Sequence, residues 1–199
     1  MKNSFKKEFL RFSRLANQLA PWAKDDKLKD HEPKWHQFGI KRHTLEVLKV
    51  ADYLYKKTKI DVRRAAIWHD IGKYVVRKKK DGQYSFKGHE KASVEILKKY
   101  QIPLTEEEFF IIEHHGDIIK KSISRIKKIC KDKNLLAKLV ILAVADKIGK
   151  GETPLQNYQR KLLMGKYVKL AELAGLDPKL IENLFKNNLK FLEKRRKNG

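Results

Sequence analysis

Apolar residues recur at helical spacing along most of the chain. Phe5, Phe9, Phe12, Ala16 and Leu19 fall on one face of a first predicted helix, ended by Pro21 and the polar stretch from Lys24 to Pro33. Val47, Val50, Ala51 and Leu54 mark a second helix, with His43 one turn before Val47 on the same face. Asp61 is placed to cap a third helix over 62–68, which carries His69 and Asp70 at its C-terminal end, with Gly72 as its stop. The pattern breaks over 74–88. There Asp81-Gly82 signals a turn between Tyr74, Val75 and Val76 on one side and Tyr84 and Phe86 on the other, which predicts a short hairpin or ordered loop.

Helical spacing resumes at His89 and runs to about Tyr100, before Pro103. Thr105 and Glu108 form a capping box for a helix that ends in His114, His115 and Gly116. Residues 117–131 are amphipathic and basic, and 134–149 read as an apolar central helix. Thr153-Pro154 turns the chain into a helix over 155–174, ended by Gly175. Asp177 and Pro178 start a last helix, with Ile181, Leu184, Phe185, Leu189 and Leu192 inward and a frayed basic tail from Lys194 to Gly199. The expected architecture is an all-α bundle of about eight or nine helices with one small insert. It divides into an N-terminal helix and lead-in (1–36), a core (37–150) and C-terminal helices of the same domain (151–199).

Composition supports one soluble domain. The chain has 199 residues, 41 % of them apolar, enough for a real hydrophobic core. No apolar run approaches the roughly 20 residues needed to span a bilayer, and the N-terminus lacks an apolar secretory segment. A cytoplasmic protein without a membrane partner is therefore expected. The single cysteine, Cys130, excludes an internal disulfide and a cysteine-based zinc knot. Any metal must be held by histidine and carboxylate.

The histidines change the picture. His43, the pair His69-Asp70, His89, the pair His114-His115 and Asp146 form an ordered series of groups that bind borderline divalent ions. Two such ions about 3.5–4 Å apart can share a bridging carboxylate. Asp70 is the natural bridge, since its neighbour His69 ligates one ion. His43 and Asp146 would complete that ion's shell, and His89, His114 and His115 would hold the second. Plainer readings stand beside each. His43 alone reads first as a core histidine, His89 as an exposed N-terminal residue, and His114-His115 as a favourable pair at a helix C-terminus. For Asp70 and Asp146 the plain reading is poor. A helix C-terminus repels carboxylates, and Asp146 follows an unbroken apolar run, so it needs a cation or donors. His31 and His36 receive no metal role, and for His36 a plain loop histidine outweighs an approach to substrate.

Charge suggests the partner. Lys plus Arg number 47 against 24 Asp plus Glu, a net +23, which favours nucleotides, RNA or DNA. A lysine-rich composition bias is the bland alternative.

The run His69-Asp70-Ile71-Gly72-Lys73, with the remaining ligands in order, resembles the signature of the HD-domain metal-dependent phosphohydrolases over roughly 37–150. The stretch Tyr84-Ser85-Phe86-Lys87-Gly88-His89-Glu90 is also similar to the HD domain attached to some bacterial tRNA nucleotidyltransferases. The chain is too short for a nucleotidyltransferase domain as well, so a stand-alone HD module is expected. The resemblance implies an all-α fold and hydrolysis of phosphomonoesters or phosphodiesters. It also implies a divalent-metal centre of two ions (Fe, Mn, Ni, Co or Mg), because the added histidines are present. Gly116-Asp117 does not continue into the GYP-type extension of the cyclic-dinucleotide phosphodiesterases, which weighs against that substrate.

Within this reading Asp70 and Lys73 are the catalytic residues. Asp70 positions the nucleophile; Lys73 contacts a phosphate oxygen or protonates the leaving oxygen. Lys73, Arg42 and Arg77 are the substrate-binding candidates, with Lys78 to Lys80 adding a basic patch near the mouth. The expected function is a metal-dependent phosphohydrolase acting on a nucleotide or nucleic-acid phosphate. A basic nucleic-acid-binding or regulatory protein with a structural or inactive metal site is the alternative.

Overall fold

The computed structural model describes residues 3–24 and 31–187. These residues form eleven α-helices, a short 3-10 turn at Pro21–Lys24 and one two-stranded sheet. In chain order the helices are α1 (Asn3–Leu19), α2 (Ile40–Thr58), α3 (Arg63–Trp68), α4 (Lys73–Val76), α5 (His89–Lys99), α6 (Glu106–His114), α7 (Asp117–Lys120), α8 (Ile123–Ile129), α9 (Lys133–Gly149), α10 (Pro154–Leu173) and α11 (Pro178–Lys186). Strands β1 (Lys78–Lys80) and β2 (Gln83–Ser85) pair antiparallel between α4 and α5. The helix count exceeds expectation for two local reasons. The basic stretch after His115 breaks into α7 and α8, with Ser122 capping the second through the Arg125 N–H. The chain also turns helical again at Lys73 instead of stopping at Gly72.

The apolar helix α9 is the axis of the fold. Every residue from Leu139 to Gly149 is buried, so it must be enclosed on all sides. It packs against α2, α3, α6, α10 and α11. Phe12 and Leu15 from α1, and Tyr167 and Leu170 from α10, join the same core cluster, which ties both ends of the chain to one body. The inward Ile181, Leu184 and Phe185 of α11 are buried as expected. Leu189, Leu192 and the basic tail 194–199 lie outside the described residues.

Local chemistry sets most boundaries. Thr105 and Glu108 form the reciprocal capping box at the start of α6, and Asp132, Thr153 and Asp177 cap α9, α10 and α11. Asp61 acts from one position earlier than expected. The residue before α3 is Val62, and the Asp61 carboxylate accepts from the Arg63 N–H at 3.0 Å while pairing with its guanidinium. At the hairpin tip Asp81 and Gly82 both take positive φ, 50° and 76°, the backbone demanded by a tight two-residue turn.

The lead-in from His31 to Gly39 is strapped across three elements. The Tyr84 N–H donates to Glu32 Oε2 at 2.7 Å, and the Gln37 N–H donates to the Lys150 carbonyl at 2.9 Å. Thr153 Oγ1 donates to the Lys34 carbonyl at 2.7 Å, and Gln156 Nε2 to the Trp35 carbonyl at 2.6 Å. This loop therefore joins the hairpin to the start of α10, over the C-terminal end of α9.

Candidate metal centre

The His-Asp pair sits in the turn between α3 and α4, held by α5. Ser93 Oγ donates to the His69 carbonyl at 2.8 Å and accepts from the Gly72 N–H at 2.9 Å. Gly72 is required here by proximity. A Cβ at this position would lie 2.2 Å from the His89 carbonyl oxygen and 2.5 Å from the Ser93 nitrogen. The glycine thus lets α5 press against the turn, and that contact brings His89 toward Asp70.

Two groups of ligating atoms result, each with its members within 4.8 Å of one another. His43, His69, Asp70 and Asp146 form one; Asp70, His89 and His115 form the other. Asp70 belongs to both because its two oxygens face apart. Oδ2 lies 3.3 Å from both His43 Nε2 and His69 Nε2, while Oδ1 lies 3.3 Å from His89 Nε2 and 3.9 Å from His115 Nε2. Asp146 Oδ1 closes the first group at 3.1 Å from His43 Nε2, and its Oδ2 pairs with Lys150 Nζ at 3.0 Å.

The donor set fits divalent ions. His69, His89 and His115 each direct Nδ1 to the backbone carbonyl three residues back (Ala66, Phe86 and Ile112) at 2.7–2.9 Å. That hydrogen bond places a proton on Nδ1 and leaves Nε2 as the atom facing Asp70, the one that would ligate an ion once deprotonated. His43 Nε2, His69 Nε2 and Asp70 Oδ1 are buried yet aligned with no hydrogen-bond partner among the described residues. Buried polar atoms are seldom left so; a cation in the first group would satisfy the two histidine nitrogens, and one in the second would satisfy Asp70 Oδ1.

Electrostatics agree with an anionic, ligand-rich pocket. Burial works against charge on Asp70, but His69 and Lys73 hold its carboxyl well below the usual range. Burial likewise opposes charge on Asp146, and Lys150 and the two histidines overcome it. Burial also disfavours the His69 imidazolium, yet Asp70 and Asp146 raise its pKa to about 9. For His115, burial and the neighbouring His69 and His89 push the pKa down to about 4, so its ring is neutral near pH 7.

Not every expected residue joins the site. His114 is absent from both groups; its Nδ1 bonds Asp117 Oδ2 at 2.7 Å and its ring packs on Phe110. Arg42 pairs with Glu46 at 2.6 Å on the outer surface, and Arg77 is held between the rings of Trp22 and Tyr84 at 3.5 and 4.6 Å. Neither arginine lines the cleft above the centre. Lys73 does line it, but from the buried side, donating to Asp70 Oδ2 at 2.6 Å and to His31 Nε2 at 2.8 Å. Sequence reasoning missed His31, Glu90 and Lys150. Glu90 stands beside His89, with Oε2 3.2 Å from Nδ1, and adjacency alone could have suggested it. Nothing in the sequence pointed to His31.

The cleft has a volume of about 400 Å³ and opens onto both groups through His89, His115 and Asp146. Lys87, Lys120 and Lys150 supply positive charge along its walls, and Trp35, Tyr84 and Phe86 supply rings.

Among the described residues, no helix is long and apolar enough to cross a membrane. No curated protein and no solved structure matches the chain. The family model for the HD domain matches residues 40–151, more than half of the length and the whole span from α2 to the end of α9. With His43, His69-Asp70 and Asp146 gathered at one centre within that span, the chain belongs to the HD domain family.

Proposed function

We propose that this protein is a metal-dependent phosphohydrolase that acts on the phosphate ester of a nucleotide or a nucleic-acid end. The observation that carries the reading is the divided carboxylate of Asp70, whose two oxygens serve different histidine groups beneath an open, lysine-walled cleft. A single structural ion would need only one group and no cleft.

His43, His69, Asp70 and Asp146 would hold one divalent ion, and Asp70, His89 and His115 a second. Ions bound there would acidify water and offset charge on phosphoryl oxygens. The chain's own residues do the remainder. Asp70 fixes where the attack begins, because both groups converge on it. Lys73 holds Asp70 Oδ2 and adds a positive charge at the cleft floor, where developing negative charge is stabilised. Its own place is set by His31. Lys87 is positioned to draw an anionic ester to the centre, while Lys120 is paired with Glu90 at 2.5 Å on the same wall.

Metal analysis of purified protein, followed by turnover of bis(p-nitrophenyl) phosphate with added Mn²⁺, tests the proposal. Wild type should carry metal and turn over the diester, and Asp70→Ala should lose both. A metal-loaded wild type with no turnover on a panel of diesters and monoesters would instead favour a binding or regulatory protein. The net charge of +23 supports that second reading.

A further inference from the structure

Two polar side chains in the cleft, the buried Gln156 and the half-buried His36, belong to neither histidine group. Gln156, in the first turn of α10, is 1 % exposed. Its Nε2 donates to the Trp35 carbonyl, which fixes the amide orientation, because only the NH₂ side can face a carbonyl. Oε1 is thereby turned to the other side, where it has no hydrogen-bond partner among the described residues. His36 is similar. Its ring stacks on His31 with centroids 3.5 Å apart, and neither nitrogen has a hydrogen-bond partner among the described residues. Both side chains line the cleft beside Trp35.

The chemistry of this wall differs from that of the metal side. Glu32 also lines it, its carboxylate anchored by the Tyr84 N–H, so a phosphate dianion is disfavoured there. What remains is an acceptor (Gln156 Oε1), a donor-and-acceptor pair (the His36 nitrogens) and a half-buried indole. Flat heteroaromatic groups with N–H edges match that set: the ring stacks and the edge pairs with the buried acceptor. Trp35, His36 and Gln156 all lie outside residues 40–151 matched to the family model.

We infer that Trp35, His36 and Gln156 form a nucleobase subsite that reads an N–H or amino edge, with the phosphate directed to the histidine groups. The location of the phosphate rests on the phosphohydrolase reading; the base contact does not.

The test is binding to Mn²⁺-loaded protein of the four nucleoside 5′-phosphorothioates, which resist hydrolysis, with inorganic thiophosphate as the base-less control. At least one nucleoside form should bind tenfold or more tightly than thiophosphate. Gln156→Leu and Trp35→Ala should each remove most of that gain while bound metal stays constant. The inference fails if no nucleoside form exceeds thiophosphate, or if the gain survives both substitutions. The second result would mean that Gln156 merely latches the lead-in loop. Trp35 is a partly exposed loop residue, so Trp35→Ala decides the matter if Gln156→Leu does not fold. If thiophosphate fails to bind while a nucleoside form binds through Gln156, the subsite stands and the phosphohydrolase reading falls.

Discussion

His114 and His115 are neighbours in sequence with opposite fates. Successive residues on a helix point about 100° apart, so only one of an adjacent pair can face a given centre. His115 is buried with Nε2 toward Asp70, whereas His114 is half-buried and tied to Asp117. His115→Ala should therefore lower the bound metal, and His114→Ala should leave it unchanged, as read by metal content after dialysis. Equal losses would mean that both rings ligate. The sequence supplied the pair but not the choice, because that depends on how α6 is rotated against α5. Protons give a second check. In the metal-free protein the His69 pKa is raised from 6.5 to about 9, despite burial, by Asp70 and Asp146. Its contribution to metal-free stability is thus fully present below pH 6.5 and is lost as pH rises through about 9. A metal needs the neutral ring, so loading near pH 8 should release most of one proton from His69, and apparent metal affinity should fall as pH is lowered. Calorimetry in buffers of different ionisation enthalpy measures that release; no proton transfer at pH 8 would contradict His69 as a ligand.

At the scale of elements, the contact between α5 and the His-Asp turn makes the second ligand group possible. Ser93 is fully buried and links the His69 carbonyl to the Gly72 N–H, so Ser93→Ala strands both backbone groups. It should destabilise the fold by about 1–3 kcal/mol and weaken metal binding through His89 more than through His43. Denaturant unfolding of the metal-free protein reads the first effect. A loss below about 0.5 kcal/mol, typical of an ordinary surface position, would show the link to be dispensable. Periodicity and caps made the long helices readable, and the Asp81-Gly82 turn marked the hairpin correctly. Close packing was not readable in the same way. Gly72 carries a stop signal in sequence, yet it serves as a contact point between two backbones, information held only by the position of α5 in space. The candidate ligand series was legible in order because His69, His89 and His115 end or begin helices and His43 lies in the first turn of one. The cleft wall was not, since Trp35, His36 and Gln156 are brought together by loop hydrogen bonds that leave no periodic trace.

At the scale of the molecule, part of the positive charge stands on the hairpin beside the cleft, where it bears on the size of the proposed substrate. The exposed lysines of β1 stand in register with Gln83, Tyr84 and Ser85, and Tyr84 is both a cleft wall and a ring partner of Arg77. Arg77 is fixed between Trp22 and Tyr84, so it anchors the hairpin while Lys78, Lys79 and Lys80 remain exposed, Lys79 over the Tyr84 ring. A mononucleotide in the cleft need not touch β1. A longer strand leaving the cleft past Tyr84 would run along it. Replacing the three lysines together with glutamine should therefore raise KM for a single-stranded oligonucleotide and leave a generic small diester unaffected. It should also reduce the salt dependence of oligonucleotide binding. Each phosphate contact on a single strand contributes about 0.7 to the slope of log K against log salt, so losing three contacts lowers its magnitude by about 2. An unchanged slope would assign the hairpin charge to solvation and confine the substrate to a nucleotide small enough to fit within the cleft.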